Sequence, residues 1–126
     1  MKDKLIKVWE NYETKQLAKV FETYMKSIKA KKHVDYGDSK PHRYAIDGKS
    51  CSWNRVQLYY CKEPFKYCEE DLEITLRKRM GDYFIVERKG ERAFEVDCSG
   101  IRHWDEKLMN EIYIDHTELF DTLFAG

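Results

Sequence analysis

Hydrophobic and polar positions alternate with a period of two between residues 71 and 98 of this chain. Such alternation is typical of strands that bury one face and expose the other. Gly81-Asp82 and Gly90-Glu91 divide the segment, and these residue types favour tight turns. The pattern predicts three antiparallel strands joined by short turns. The first strand would place Leu72, Ile74 and Leu76 on its hydrophobic side and Glu73, Thr75 and Arg77 on its polar side.

The N-terminal segment shows helical spacing instead. From Lys4 to about Lys31, hydrophobic residues recur three and four positions apart, and neither Pro nor Gly interrupts them. This spacing predicts a single amphipathic helix over 4–31. A helix of that length is expected to pack across the sheet as its main cover.

Between these two segments the sequence predicts a β-hairpin. Residues 43–46 have the composition of a short strand, and Asp47-Gly48 is a strong two-residue hairpin signal. The return strand is predicted at about 50–61. Because Pro64 cannot lie inside a central strand, we expect residues 62–70 to form a connecting loop.

The C-terminal segment returns to helical spacing after Trp104. Asp105 is predicted to cap the first turn of a helix. Asp115, three residues before Glu118, is predicted to begin a second helix through a capping box. We expect either two short helices or one helix that bends near Ile114.

The period therefore changes from helical to strand-like near residue 43 and back near residue 105, which predicts an α+β domain spanning 1–126. A four- to five-stranded, mainly antiparallel sheet would be covered on one face by the long N-terminal helix and the C-terminal helical segment. The predicted core consists of Trp9, Val20, Phe21, Tyr24, Ile46, Leu58, Leu72, Ile74, Leu76, Phe84, Val86, Phe94, Val96, Ile112, Leu119 and Phe120.

Composition limits the class of protein. With 126 residues, 42% hydrophobic and 14% aromatic, the chain can build one packed core although 37% of its residues are charged. The formal net charge of zero gives no general electrostatic reason to bind nucleic acid. We see no signal peptide and no apolar stretch of membrane-spanning length, so we predict a cytoplasmic protein without membrane contact and with reduced thiols.

Cysteine and histidine spacing does not match a known metal-binding motif. Six residues separate Cys61 from Cys68, and no C-x-x-C or H-x-x-x-H occurs. We therefore predict no metal and no cofactor, although a site assembled in the fold from Cys61, Cys68 and distant histidines stays open. Cys98 and His103 are neighbours in sequence, but nothing marks an oxyanion hole or an orienting third group.

One pattern suggests an enzyme. Glu87 and Lys89 end a predicted core strand two positions apart, which resembles the E-x-K half of the restriction-endonuclease-like nuclease motif. The resemblance implies that the acid holds Mg²⁺ and that the lysine stabilises charge at the scissile phosphate. It also implies a second acid at the start of the preceding strand, either Asp71 or Glu73. This alternative covers only about twenty residues, and we do not favour catalysis.

The polar face of the sheet offers a binding surface instead. Tyr, Trp and Arg side chains dominate many interfaces, and the predicted contacts are Trp53, Arg55, Tyr59, Arg77 and Arg79. We predict a small binding or inhibitory protein without catalytic activity and with a protein as its partner. The same residues could bind phosphates and stacked bases, so nucleic acid is the alternative partner. A third interpretation is that cross-strand salt bridges merely cover the sheet.

Overall fold

The computed structural model describes the backbone of residues 1–28, 31–34, 42–46, 49–57, 64–78 and 81–126, and the side chains of 1–28, 64–78 and 81–126. Its strands are β1 (Lys31–Val34), β2 (His42–Ile46), β3 (Lys49–Gln57), β4 (Phe65–Glu69), β5 (Leu72–Arg77), β6 (Tyr83–Arg88), β7 (Glu91–Asp97) and β8 (Gly100–Trp104). They follow one another across the sheet in chain order, and each pairs antiparallel with the next. The predicted α+β class with an antiparallel sheet is confirmed.

The three strands predicted from alternation are present as β5, β6 and β7. The predicted hairpin is present as β2 and β3, while its turn, Asp47-Gly48, and residues 58–61 lie outside the described residues. The predicted loop over 62–70 is wrong, because β4 occupies most of it. Pro64 directly precedes β4, a position that needs no backbone N–H in the ladder, so this proline marks the start of a strand.

The single N-terminal helix is also a wrong prediction. The chain forms α1 (Lys2–Asn11) and α2 (Thr14–Ser27), and it is extended at Tyr12 and Glu13, with ψ of 133° and 162°. A straight helix over 4–31 would be roughly 42 Å long at 1.5 Å per residue. The break lets both helices contact the C-terminal helical segment and bury their hydrophobic stripes there.

The C-terminal segment contains two short helices, α3 (Glu106–Asp115) and α4 (Thr117–Ala125), as one of the two alternatives predicted. The Asp105 carboxylate accepts a hydrogen bond from the Leu108 N–H at 3.1 Å, which confirms this cap. The capping box at Asp115 is wrong. His116 is the residue that precedes α4, and its side chain makes no capping bond.

The core lies between the helices and one face of the sheet, called here the helix-covered face. Helix α2 packs on β3 and β4, α3 packs on β7, and α4 contacts the other three helices. Most of the predicted core is buried, whereas Trp9 and Val20 are half-buried, and the side chains of Ile46 and Leu58 lie outside the described part. The fully buried side chains include Leu5, Leu17, Phe21, Phe65, Tyr67, Ile74, Phe84, Phe94 and Phe120.

Candidate functional site

The opposite face of β4 to β8, called here the outer face, carries the charges that the sequence placed on its polar side. These charges pair with one another. The described ion pairs are Lys66–Glu73 at 3.3 Å, Arg92–Glu95 at 2.7 Å, Arg92–Glu87 at 3.7 Å and Arg102–Asp97 at 3.0 Å. This arrangement agrees with the interpretation in which salt bridges cover the sheet, since each of these carboxylates already has a cation beside it.

The residues predicted to form the binding surface are only partly described. Arg77 is half-buried at the end of β5. Trp53 and Arg55 lie in β3, but their side chains are outside the described part of the chain, as are Tyr59 and Arg79 altogether. Binding of a protein or nucleic acid at this face therefore stays a prediction.

The residues of the nuclease hypothesis divide between the two sides of the sheet. Glu73 and Glu87 are register partners on the outer face. The Asp71 carboxylate lies at the end of the helix-covered face, where the Lys89 Nζ is 3.9 Å from its Oδ2. The structure thus brings Asp71 and Lys89 together and leaves the two glutamates in outer-face ion pairs.

The structure gives little support to a metal site that includes Cys61 and Cys68 or to a catalytic pair of Cys98 and His103. Cys68 is buried in β4, and Cys61 lies outside the described residues. Cys98 is exposed in the turn between β7 and β8, whereas His103 pairs in register with Glu95, further along the ladder.

A different cluster of ionisable side chains lies where the β4–β5 turn meets the junction of α3 and α4. It consists of Glu69, Glu70, Asp71 and His116 and is called here the His116 cluster. Glu70 and Asp71 form the two-residue turn, and Glu70 has a positive φ of 53°. His116 is the single residue between the two helices, and only 7% of it is exposed.

Two buried atoms in this cluster face each other without a hydrogen-bond partner. They are the His116 Nε2 and the Asp71 Oδ1, which lie 4.0 Å apart. The His116 Nδ1 is 3.7 Å from the Glu69 Oε2. Both distances exceed hydrogen-bond length. One ligand atom each from Glu70, Asp71 and His116 lies within 4.8 Å of the others.

The second oxygen of Asp71 is already occupied. Its Oδ2 accepts a hydrogen bond from the Arg88 Nε at 3.1 Å, and the other arm of Arg88 reaches Asp115 at 2.6 Å. Burial by itself would raise the pKa of Asp71, but the Arg88 hydrogen bond and charge outweigh it and lower that pKa. Asp71 is therefore an anion at neutral pH. The Lys89 N–H also donates to the Asp71 carbonyl at 3.1 Å, which ties the two turns together.

Glu69 is held in place by two phenols. The Tyr24 hydroxyl donates to its Oε1 at 3.2 Å, and the Tyr67 hydroxyl donates to its Oε2 at 2.8 Å. Burial, together with the nearby Glu69 carboxylate, raises the pKa of both tyrosines. Both phenols therefore stay protonated and act as donors.

The cluster could not have been found from motif spacing. The acids Glu69, Glu70 and Asp71 are consecutive, but His116 lies far along the chain and joins them only through the packing of α3 and α4. The usable signal was local. A histidine between two short helices, in a hydrophobic stretch, is a candidate for burial.

A separate feature is an open cleft where α1, α2 and α4 meet. Lys4, Lys7 and Lys19 line it, and all three are exposed. Exposed lysines keep many rotamers. The Tyr12 hydroxyl, which also belongs to the lining, is a single buried atom without a hydrogen-bond partner, whereas the His116 cluster has two such atoms that face each other. The His116 cluster is the better candidate.

Comparison with known proteins identifies no relative. No family model matches the sequence, and neither a curated protein nor a solved structure matches it significantly. Within the described part of the chain, no helix is long and apolar enough to cross a membrane.

Proposed function

We propose that this protein binds one divalent transition-metal ion through Glu70, Asp71 and His116. Zn²⁺ is the ion with which the proposal is tested. The observation that carries the proposal is the pair of buried, unpartnered atoms His116 Nε2 and Asp71 Oδ1. A buried polar atom without a partner costs about 1–3 kcal/mol. A cation between two such atoms would give both of them a partner.

The donor set favours a particular class of ion. One imidazole nitrogen with two carboxylates suits Zn²⁺ or Mn²⁺, whereas Ca²⁺ prefers six to eight oxygens. Zinc binds nitrogen and oxygen at about 2.0–2.2 Å, so tetrahedral ligand atoms lie roughly 3.4 Å apart. The 4.0 Å separation of His116 Nε2 and Asp71 Oδ1 needs only a small adjustment. Glu70, which is exposed and lies in the turn, offers the third ligand atom within 4.8 Å of the other two.

The three side chains leave one position of a tetrahedral ion for water. Structural zinc sites normally use four protein ligands, and sites that act on a bound molecule normally use three. Among the described residues, the proposed site has three protein ligands, as do sites that act on a bound molecule. It would be a binding site with an exchangeable position.

A proton is the competing occupant. A protonated His116 would lie between Glu69 and Asp71 and satisfy both carboxylates without any metal. Titration calorimetry of the full chain with Zn²⁺ separates the two occupants. We expect one Zn²⁺ per chain and a loss of affinity of more than about 100-fold in His116→Gln, since even outer-shell changes cost 10–100-fold.

His103→Gln is the matched control, because His103 is exposed in β8. It should bind Zn²⁺ like the parent protein. Glu70→Gln provides a second variant at an exposed position, in case His116→Gln fails to fold. The proposal is wrong if the parent protein binds neither Zn²⁺ nor Mn²⁺ in the micromolar range, or if neither variant weakens binding.

A further inference from the structure

Glu69 lies directly behind His116, on the side away from Asp71. It is the last residue of β4, only 8% of it is exposed, and its Oε2 is 3.7 Å from the His116 Nδ1. A buried carboxylate is costly unless hydrogen bonds surround it. Its two oxygens offer about four acceptor sites, and the Tyr24 and Tyr67 hydroxyls use two of them. Room for another donor is left on the side of His116.

The position of Glu69 is fixed by packing as well as by hydrogen bonds. Tyr67 lies two residues earlier on the same side of β4 and is fully buried. The Phe21 ring of α2 stacks on the Tyr67 ring, with centroids 4.2 Å apart. Tyr24 comes from the next turn of α2, so a strand and a helix together hold the carboxylate.

A neutral histidine carries one ring proton, and the position of that proton decides which nitrogen can bind a metal. An acceptor at Nδ1 favours the tautomer that carries the proton there and leaves the Nε2 lone pair bare. Metal-binding histidines commonly donate their other N–H to a carboxylate in this way. An imidazole or carboxylate shift of roughly 0.5–1 Å brings the 3.7 Å separation into hydrogen-bond range.

We infer that Glu69 is the positioning residue of the site, and this inference rests on the proposed function. It accepts the Nδ1 proton of His116, so the bare Nε2 points at the ion between His116 and Asp71. The tyrosines Tyr24 and Tyr67 keep the carboxylate in that orientation. Because the site then offers an imidazole nitrogen, it selects Zn²⁺ over Mg²⁺ and Ca²⁺, which prefer oxygen ligands.

The test combines affinity with a direct view of the tautomer. Glu69→Gln should bind Zn²⁺ about 10–100-fold more weakly. Long-range ¹H–¹⁵N NMR of the metal-free protein should show the proton of His116 on Nδ1. In Glu69→Leu, which has no acceptor at this position, that preference should be lost. Glu73→Gln is the control, because Glu73 lies on the outer face beside Lys66 and should change neither readout.

Tyr24→Phe distinguishes positioning from packing. It removes one donor to Glu69 but keeps the carboxylate, so the tautomer should stay and the Zn²⁺ affinity should fall by less than that of Glu69→Gln. The inference is wrong if Glu69→Leu keeps the parent tautomer, or if Tyr24→Phe lowers the Zn²⁺ affinity as much as Glu69→Gln with an unchanged tautomer. Should the parent protein bind Zn²⁺ and Glu69→Gln bind it equally well, the inference fails while the proposed function stands. Should the parent protein bind none, both fail.

Discussion

The two faces of the sheet formed by β4 to β8 differ in how their charged and polar side chains are paired. On the outer face, Glu73, Glu87, Glu95 and Asp97 each have a cation within 4 Å on the same face. The helix-covered face is almost entirely hydrophobic, and its polar side chains gather at one end in the His116 cluster. There, two buried atoms of His116 and Asp71 face each other without a partner, whereas the unpartnered buried atoms of Trp9 and Tyr12 lie elsewhere.

This difference distinguishes charges that pair with one another from buried polar atoms that lack a partner. Exposed ion pairs contribute little to stability and need no ligand to explain them. A buried polar group without a partner lowers stability, and such groups are rare in native proteins. The outer face, which has the more conspicuous sequence pattern, therefore gives the weaker functional signal.

The largest expected difference between the faces is in packing. Ile74 is fully buried on the helix-covered face, whereas Ile85 is half-buried on the outer face. Ile74→Ala should lower the free energy of unfolding by about 2–5 kcal/mol, because it leaves a cavity. Ile85→Ala should cost about 1 kcal/mol, because part of its side chain already contacts water. Urea denaturation measures both, and equal losses would show that the outer face is buried too.

A smaller difference is expected between two arginines. Arg88 hydrogen-bonds Asp71 and Asp115 at the His116 cluster, and its side chain is 20% exposed. Arg88→Met should lower the free energy of unfolding by about 1–3 kcal/mol, because it leaves a partly buried carboxylate without its main donor.

Arg92→Met is the control for this substitution. Arg92 pairs with Glu87 and Glu95 on the outer face with a more exposed side chain, so its loss should cost about 0–1 kcal/mol. Thermal denaturation of the two variants, measured in the same buffer with a metal chelator present, gives the comparison. A cost for Arg92→Met that equals that of Arg88→Met would remove the distinction between the faces.

Local patterns were sufficient to predict the central strands and the C-terminal helices. The strands β5 to β7 have strict alternation and glycine-containing turns, and Asp105 caps α3 as its position suggests. The break at Tyr12 was not visible, because neither Pro nor Gly marks it and its cause is packing against α4. The sequence does not reveal β4, because a proline such as Pro64 is found both where a strand ends and just before one begins.

The site was less predictable than the fold. The nuclease resemblance includes Asp71 as a possible second acid, and the structure places its carboxylate beside Lys89. No motif marks His116, because no residue near it in the sequence has a metal-ligand spacing to it. Its partners Glu69 and Asp71 are brought to it by a long-range contact between a turn and a helix junction. Such a contact depends on the whole packed core.

The smallest expected effect tests the outer face alone. The Lys66 Nζ is 3.3 Å from the Glu73 Oε1, and both side chains are more than 40% exposed. In a double-mutant cycle with Lys66→Met and Glu73→Gln, the coupling energy should be roughly 0.2–1 kcal/mol, and it should fall as salt is added, since water and ions screen the pair. Urea denaturation at low and high salt measures it. A coupling well above this range that resists salt would mean that the outer face is shielded from solvent, and its paired charges would then need a ligand or partner to explain them.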